Sequence, residues 1–128
     1  MNLLLDTHVF IWWDSEPGKL SGRALELCED SGNTLVLSTG SLWEIQIKCQ
    51  LGKIKLGKPL REIVGEQEEA NKIKTLSVED RHVYELDNLP LIHKDPFDRI
   101  IVAQAICEGF KLISHDNKLS QYPVDIEW

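Results

Sequence analysis

The chain has 128 residues, of which 42% are hydrophobic and 27% charged, with only eight glycines and five prolines. This composition is that of one folded domain over residues 1–128, and it excludes disordered, fibrous and low-complexity proteins. The net charge of -7 argues against a protein whose whole surface binds phosphate groups.

The first apolar segment, residues 3–13, lacks a basic start and is interrupted by Asp6 and His8. It therefore fits neither a signal peptide nor a membrane span. The segment instead predicts a buried strand over residues 2–6, followed by the opening of a short helix. We expect a cytoplasmic protein that does not contact a membrane.

Helix and strand patterns alternate along the rest of the chain. We predict, in order, a helix over residues 21–30, a strand over 34–38, a helix over 40–52, a helix over 60–70, a strand over 73–76, a helix opened by Ser77, an extended loop over 89–94, a helix over 96–108, a strand over 110–114 and an edge strand within 124–128. This order predicts an α/β fold with an open, mainly parallel sheet and helices on both faces. In such sheets ligands bind outside the carboxyl ends of the strands.

Acidic residues fall just after a predicted strand or in the first turn of a helix. They are Asp6, Glu44, Asp98 and Asp116. Each one taken singly is explained as a helix cap, as part of a capping box with Ser41, or as an acid favoured by the helix dipole. Asp6 and Asp116 nevertheless follow nearly buried strands, where an unpaired charge is costly.

Carboxylates gathered at one sheet edge repel each other unless a cation neutralises them. Oxygen ligands of this kind suit Mg²⁺ or Mn²⁺ and do not suit zinc. The four acids together therefore predict a divalent metal site. Asp95 has a simpler explanation, because an aspartate before Pro96 is the usual pattern of an N-cap followed by proline at the first helical position.

The histidines and cysteines favour no other kind of site. The four histidines, at positions 8, 82, 93 and 115, are scattered, without an H-E-x-x-H motif or nearby cysteines. Two of them, His8 and His115, neighbour the predicted acids. The cysteines are odd in number and widely spaced, which indicates small buried side chains: Cys28, Cys49 and Cys107. Phosphate-loop, dinucleotide-binding and serine-hydrolase motifs are absent.

The segments LLLDTHVFIW, STGSLWEIQIK, HKDPFDRIIVAQA and LISHDNKL resemble, in this order, the PIN-domain family, and especially the small bacterial toxins of VapC type. The resemblance implies a PIN-like fold. It places the family's catalytic and metal-binding acids on Asp6, Glu44, Asp98 and Asp116. Thr7 matches a hydroxyl residue beside the first acid, and Ser114 keeps a hydroxyl where many relatives have threonine.

The same resemblance implies an endoribonuclease that uses Mg²⁺ or Mn²⁺ and leaves a 5′-phosphate and a 3′-hydroxyl. It further implies a toxin that is inhibited by a cognate antitoxin protein and that forms a homodimer. Two alternatives stay open at this point. One is a PIN nuclease that acts on DNA or in RNA processing without being a toxin, and the other is a catalytically silent PIN-like binding module.

A run of basic residues without an intervening acid lies between residues 45 and 61: Lys48, Lys53, Lys55, Lys58 and Arg61. These residues either bind the RNA backbone or form a solvated helix end, with Lys48 paired to Glu44 one turn away. Trp43 either stacks on a base or packs against the protein. Arg99 either contacts phosphate or pairs with a neighbouring acid.

Overall fold

The computed structural model describes the whole chain, residues 1–128. The strands are β1 (Asn2–Leu5), β2 (Thr34–Ser38), β3 (Lys74–Leu76), β4 (Lys111–Ile113) and β5 (Ile126–Glu127). The helices are α1 (Thr7–Ser15), α2 (Gly22–Glu29), α3 (Thr39–Gln50), α4 (Leu60–Asn71), α5 (Asp80–Glu85) and α6 (Pro96–Glu108). All strands are parallel and form one sheet in the order β3-β2-β1-β4-β5. The predicted α/β fold with an open parallel sheet is confirmed.

The sheet is covered on both faces because successive side chains of a strand point to opposite sides. Leu3 and Leu5 of β1 pack with α1 to α4 on one face, and Leu4 packs with α6 on the other. Buried side chains of β2 and β4 divide between the faces in the same way. None of the helices combines the length and the apolar character that a membrane span requires.

Two helices begin at positions that differ from the predictions. α5 begins at Asp80 and not at Ser77, because Glu79 precedes it and donates its backbone N–H to Nδ1 of His82 at 2.9 Å. α3 begins directly after β2, where the side chain of Ser38 accepts a hydrogen bond from the backbone N–H of Gly40. The alternative interpretation of Ser41 and Glu44 as a capping box is therefore wrong.

The cysteine predictions have a mixed outcome. Cys28 is buried, and burial raises the pKa of its thiol to about 11. Cys49 and Cys107 are only half-buried, and all three are free thiols. Cys49 packs against the edge of the core, whereas Sγ of Cys107 lies 3.7 Å from the backbone carbonyl oxygen of Arg81.

Parallel strands place all their carboxyl ends at one edge of the sheet, and the next segments of the chain meet there. β1 pairs with β2 on one side and with β4 on the other, so the strand order reverses beside β1. Ligands of open α/β sheets bind at such reversals. α3 also packs on α6, at a point where Gly40 leaves room: a Cβ there would lie 3.1 Å from Cγ2 of Ile100. The starts of α1, α3 and α6 are thereby brought together beside the reversal.

Candidate active site

A pocket of about 460 Å³ opens at this edge of the sheet. The structure brings all four predicted acids to its wall: Asp6, Glu44, Asp98 and Asp116. They come from the end of β1, the second turn of α3, the first turn of α6 and the segment after β4. Asp6 and Glu44 are buried, with exposed fractions of 6% and 2%, and the other two acids are half-buried.

Asp6 does not cap α1 with its side chain, although it occupies the N-cap position. Its Oδ2 accepts a hydrogen bond from the Ser114 hydroxyl at 2.7 Å. The Ser114 oxygen in turn accepts the backbone N–H of Asp116 at 3.1 Å. Ser114, which follows β4, therefore ties Asp6 to the segment that carries the fourth acid.

Glu44 has protein partners on both carboxylate oxygens. The Thr7 hydroxyl donates to Oε1 at 2.8 Å and lies 2.9 Å from the hydroxyl of Ser41. Nζ of Lys48 donates to Oε2 at 2.5 Å, and this bond raises the pKa of Lys48. The predicted supporting residue Thr7 and the predicted pair of Lys48 with Glu44 thus both hold this carboxylate in place.

The two aspartates at the start of α6 have different contacts, and Asp95 is the N-cap, as predicted. Asp95 caps the helix, since its Oδ1 accepts the backbone N–H groups of Phe97 and Asp98 at 2.8 and 3.3 Å. The Asp98 carboxylate takes no part in this cap. Its Oδ2 lies 2.7 Å from Nε2 of His93, which is a hydrogen-bonding distance.

The two carboxylate oxygens of Asp116 have different contacts. Oδ1 accepts the backbone N–H of Lys118 and caps the short 3₁₀ helix Asn117–Gln121, so the helix-cap interpretation holds for this oxygen. Oδ2 lies 3.7 Å from Nε2 of His93. Ligand atoms of His93, Asp98 and Asp116 all lie within 4.8 Å of one another, which allows them to surround one small cation.

The sequence predictions did not assign His93 to the site, because a lone histidine among scattered ones carries no metal-binding pattern. Its position two residues before the cap of the DPFD helix is the only local signal. His8 and His115 neighbour the acids as expected, since both line the pocket together with Trp12. The centroid of the His115 ring lies 5.0 Å from the centroid of the Trp128 ring.

Two of the acids, Asp6 and Asp98, have raised pKa values. Burial raises the pKa of Asp6, and the nearby Glu44 raises it further, whereas Ser114 and His8 lower it. Burial, together with Asp6 and Asp95, raises the pKa of Asp98 to about 7. Raised pKa values of neighbouring carboxylates fit a divalent cation, because the cation replaces the lost water and cancels the repulsion. The donor set of carboxylate oxygens fits Mg²⁺ or Mn²⁺.

Of the basic residues singled out in the sequence, only Lys48 lines the pocket. The others are exposed and lie outside its wall: Lys53, Lys55, Lys58 and Arg61. Lys58 forms an exposed ion pair with Glu66 at 2.7 Å. Lys118, which no sequence pattern indicated, lines the pocket on the side of Asp116.

Neither Trp43 nor Arg99 lines the acidic pocket. Trp43 lies outside the acidic pocket, is 65% exposed, and contacts Phe97 edge to face with 5.4 Å between ring centroids. Arg99 pairs with no acid and does not line the pocket; its guanidinium donates to backbone carbonyls and to Tyr122.

The fold and the pocket together define an α/β protein with an acidic site at the carboxyl edge of a parallel sheet. The chain belongs to the PIN-domain family, whose sequence profile matches residues 3–125.

Similarity to individual proteins extends over nearly the whole chain. The chain is 30% identical over 121 residues to Ribonuclease VapC22 of Mycobacterium tuberculosis (strain ATCC 25618 / H37Rv), and the match covers 94% of this chain and 91% of that protein. A chain in the structure of VapBC2 from Rickettsia felis, bound to a DNA fragment from their promoter, has a TM-score of 0.73 and 17% identity, with 99% and 98% of the two chains covered. DNA-bound VapBC from Salmonella typhimurium gives a TM-score of 0.69 and 15% identity, with 99% and 97% covered. At these identities the structural neighbours show a shared fold.

Proposed function

We propose that this chain is a divalent-metal-dependent endoribonuclease and the toxin of a toxin–antitoxin pair. The observation that carries the proposal is the meeting of Asp6, Glu44, Asp98 and Asp116 in one pocket of a PIN-domain protein. The name of the relative Ribonuclease VapC22 supports RNA as the substrate. The VapBC complexes among the structural neighbours support an antitoxin protein as the partner.

The four acids hold Mg²⁺ or Mn²⁺ in this proposal. When bound, the ion lowers the pKa of a coordinated water and stabilises the departing 3′-oxygen, so that cleavage leaves a 5′-phosphate and a 3′-hydroxyl. Ser114 holds Asp6, and Thr7 with Lys48 holds Glu44, so these carboxylates keep their orientation when RNA enters. No residue of the chain has to act as a nucleophile, and the RNA 2′-hydroxyl does not have to attack.

Basic groups at the pocket and beside it attract the RNA backbone. Lys48 and Lys118 line the pocket itself. We keep the exposed residues after α3 as weaker backbone contacts: Lys53, Lys55, Lys58 and Arg61. Contacts of this kind weaken as salt increases.

An antitoxin that covers the pocket completes the proposal, since a cytoplasmic toxin would otherwise cleave RNA continuously. The homodimer and the cytoplasmic location that the sequence suggested stay predictions, and so does the single domain over residues 1–128.

Incubation of the purified chain with a mixed RNA pool should give cleavage in Mn²⁺ or Mg²⁺ and none in EDTA. Asp98→Asn should lose this activity, because it removes one of the carboxylate charges that hold the ion. Ligation-based sequencing of 5′-phosphate ends identifies the products and their sequence context. RNA that stays intact with wild-type protein and metal would favour the catalytically silent binding module, and cleavage of DNA alone would favour a DNA nuclease.

Expression of the wild-type chain in bacteria should arrest growth, and co-expression of a small protein encoded beside it should relieve the arrest. The arrest should be absent for Asp98→Asn expressed to the same level. Growth is measured as optical density and colony count after a short pulse of expression. Normal growth with demonstrable RNA cleavage in vitro would identify a housekeeping PIN nuclease instead of a toxin.

A further inference from the structure

The segment between α5 and α6, residues 86–95, places His93 beside Asp98 and Asp116 and is held largely by side chains. Arg99 of α6 donates from Nη1 to the carbonyl oxygen of Pro90 at 2.9 Å and from Nη2 to that of Leu86 at 3.3 Å. Nη1 also lies 3.2 Å from the Tyr122 hydroxyl oxygen. One guanidinium therefore ties two points of the segment to α6.

The Tyr122 hydroxyl fixes a third point. Its oxygen accepts the backbone N–H of His93 at 2.9 Å as well as the Arg99 guanidinium. The ring itself is 3% exposed and packs in the core on the α6 face of the sheet. Because Tyr122 follows β4 and Arg99 lies on α6, the segment is anchored to two elements that also carry acids of the pocket.

The anchored segment delivers the His93 imidazole to one oxygen of Asp98. Nε2 of His93 lies 2.7 Å from Oδ2 of Asp98, and Asp95 is occupied with capping the helix. An Nε2–H that donates to Oδ2 fixes the carboxylate plane and leaves Oδ1 free for another ligand. Metal-binding carboxylates in proteins are commonly oriented by hydrogen bonds of this kind.

We infer that Arg99 and Tyr122 are positioning residues that fix residues 86–93, so that His93 holds Asp98 in its metal-binding orientation. This inference rests on the proposed function, because it takes Asp98 as a ligand of the ion. It differs from both roles considered for Arg99 in the sequence. Nη1 and Nη2 both donate to oxygens of the protein, so Arg99 contributes to cleavage without touching RNA.

Tyr122→Phe tests the inference with a minimal change, since it removes the hydroxyl and keeps the buried ring. Mn²⁺ affinity, measured by electron paramagnetic resonance of the free ion, should fall by about 10- to 100-fold. The kcat for RNA cleavage should fall with it at saturating RNA, while the KM for RNA stays unchanged. Amide hydrogen exchange should become faster in residues 89–93. Tyr84→Phe, which alters an exposed tyrosine on α5, is the matched control and should change none of these quantities.

His93→Gln separates positioning from general loss of structure, because the side chain it alters lies at the pocket and not in the core. It should lower Mn²⁺ affinity as Tyr122→Phe does, and the double variant should lose little more than either single one. Independent, multiplying losses would overturn the inference, because the tyrosine would then act by a route other than His93. Electron spin-echo spectra of Mn²⁺ bound to the wild-type protein should show no signal from a coordinated His93 nitrogen. The spectra of the wild type and of His93→Gln should therefore show the same nitrogen couplings.

Three further results would overturn the inference. The first is wild-type Mn²⁺ affinity in both Tyr122→Phe and His93→Gln. The second is an Arg99→Lys variant with a raised KM for RNA and unchanged Mn²⁺ affinity, which would make Arg99 an RNA contact. The third is a coordinated His93 nitrogen, which would make it a ligand. A wild-type protein that binds no Mn²⁺ would overturn the proposed function as well, so the two failures are distinguishable.

Discussion

Replacing Asp6 with asparagine should abolish RNA cleavage and yet increase the free energy of unfolding of the metal-free protein. Asp6 is buried, and burial together with Glu44 raises its pKa, so its negative charge destabilises the folded state at neutral pH. Asparagine keeps an oxygen that accepts the Ser114 hydroxyl but carries no charge. We expect the free energy of unfolding in EDTA to increase.

The same substitution removes a charge that the ion requires. We expect the rate of Mn²⁺-dependent cleavage to fall on the order of 10³-fold. Urea unfolding in EDTA measures the first effect, and initial cleavage rates at saturating RNA measure the second. The two effects of Asp6→Asn are expected to have opposite signs, with higher stability and lower activity. If Asp6 served only to stabilise the fold, its substitution would lower stability and activity together.

Asp95→Asn is the matched control for Asp6→Asn. It removes one negative charge from the same pocket, but asparagine caps a helix as well as aspartate does. Its cleavage rate should stay within several-fold of the wild-type rate. An Asp6→Asn variant that is less stable than wild type in EDTA, or that cleaves RNA at the wild-type rate, would show that Asp6 has a structural role and not a metal-binding one.

The sequence predicted the parallel sheet and the gathering of acids for the same reason. Alternating helices and buried strands allow few topologies, and in a parallel sheet the residues after β1 and β4 must emerge at one edge. Asp6 and Asp116 were therefore placed by topology alone. The DPFD segment identified Asp95 as the N-cap correctly, because proline at the first helical position marks the residue before it as the cap.

The failures share a different cause, which is competition between similar local signals. Ser38 and Ser41 both precede apolar helical sequence, and a serine at either place is able to cap a helix. β2 continues to Ser38, and α3 follows at once, so Ser38 takes the cap. The Glu44 carboxylate therefore forms no capping box and instead contacts Thr7 and Lys48.

His93 was missed because its position depends on contacts between residues distant in sequence. Tyr122 is 29 residues further along the chain, and it holds the backbone of His93 through a single hydroxyl. An extended loop has no hydrophobic periodicity from which the direction of a side chain could be predicted. Only the assembled fold shows that the loop ends against Asp98.

Lowering the pH from about 8 to about 5 should stabilise the metal-free protein by about 1–2 kcal/mol through Asp98. The folded-state pKa of Asp98 is raised to about 7 from 3.8, chiefly by burial. A raised carboxyl pKa means that the folded state binds the proton more tightly than the unfolded state does. Stability therefore falls as pH increases between the two pKa values and levels off above the higher one.

Urea unfolding at several pH values in EDTA measures this dependence, and the difference between wild type and Asp98→Asn isolates the contribution of Asp98 from those of the other acids and the histidines. The variant should show a flatter dependence over the same range. Saturating Mn²⁺ should reverse the wild-type slope above about pH 6, since the ion binds the deprotonated carboxylates and stabilises the folded state more as protons leave. If the wild type and Asp98→Asn showed the same dependence of stability on pH in EDTA, the Asp98 carboxylate would already be neutralised within the protein. The electrostatic argument for an ion in this pocket would then fail.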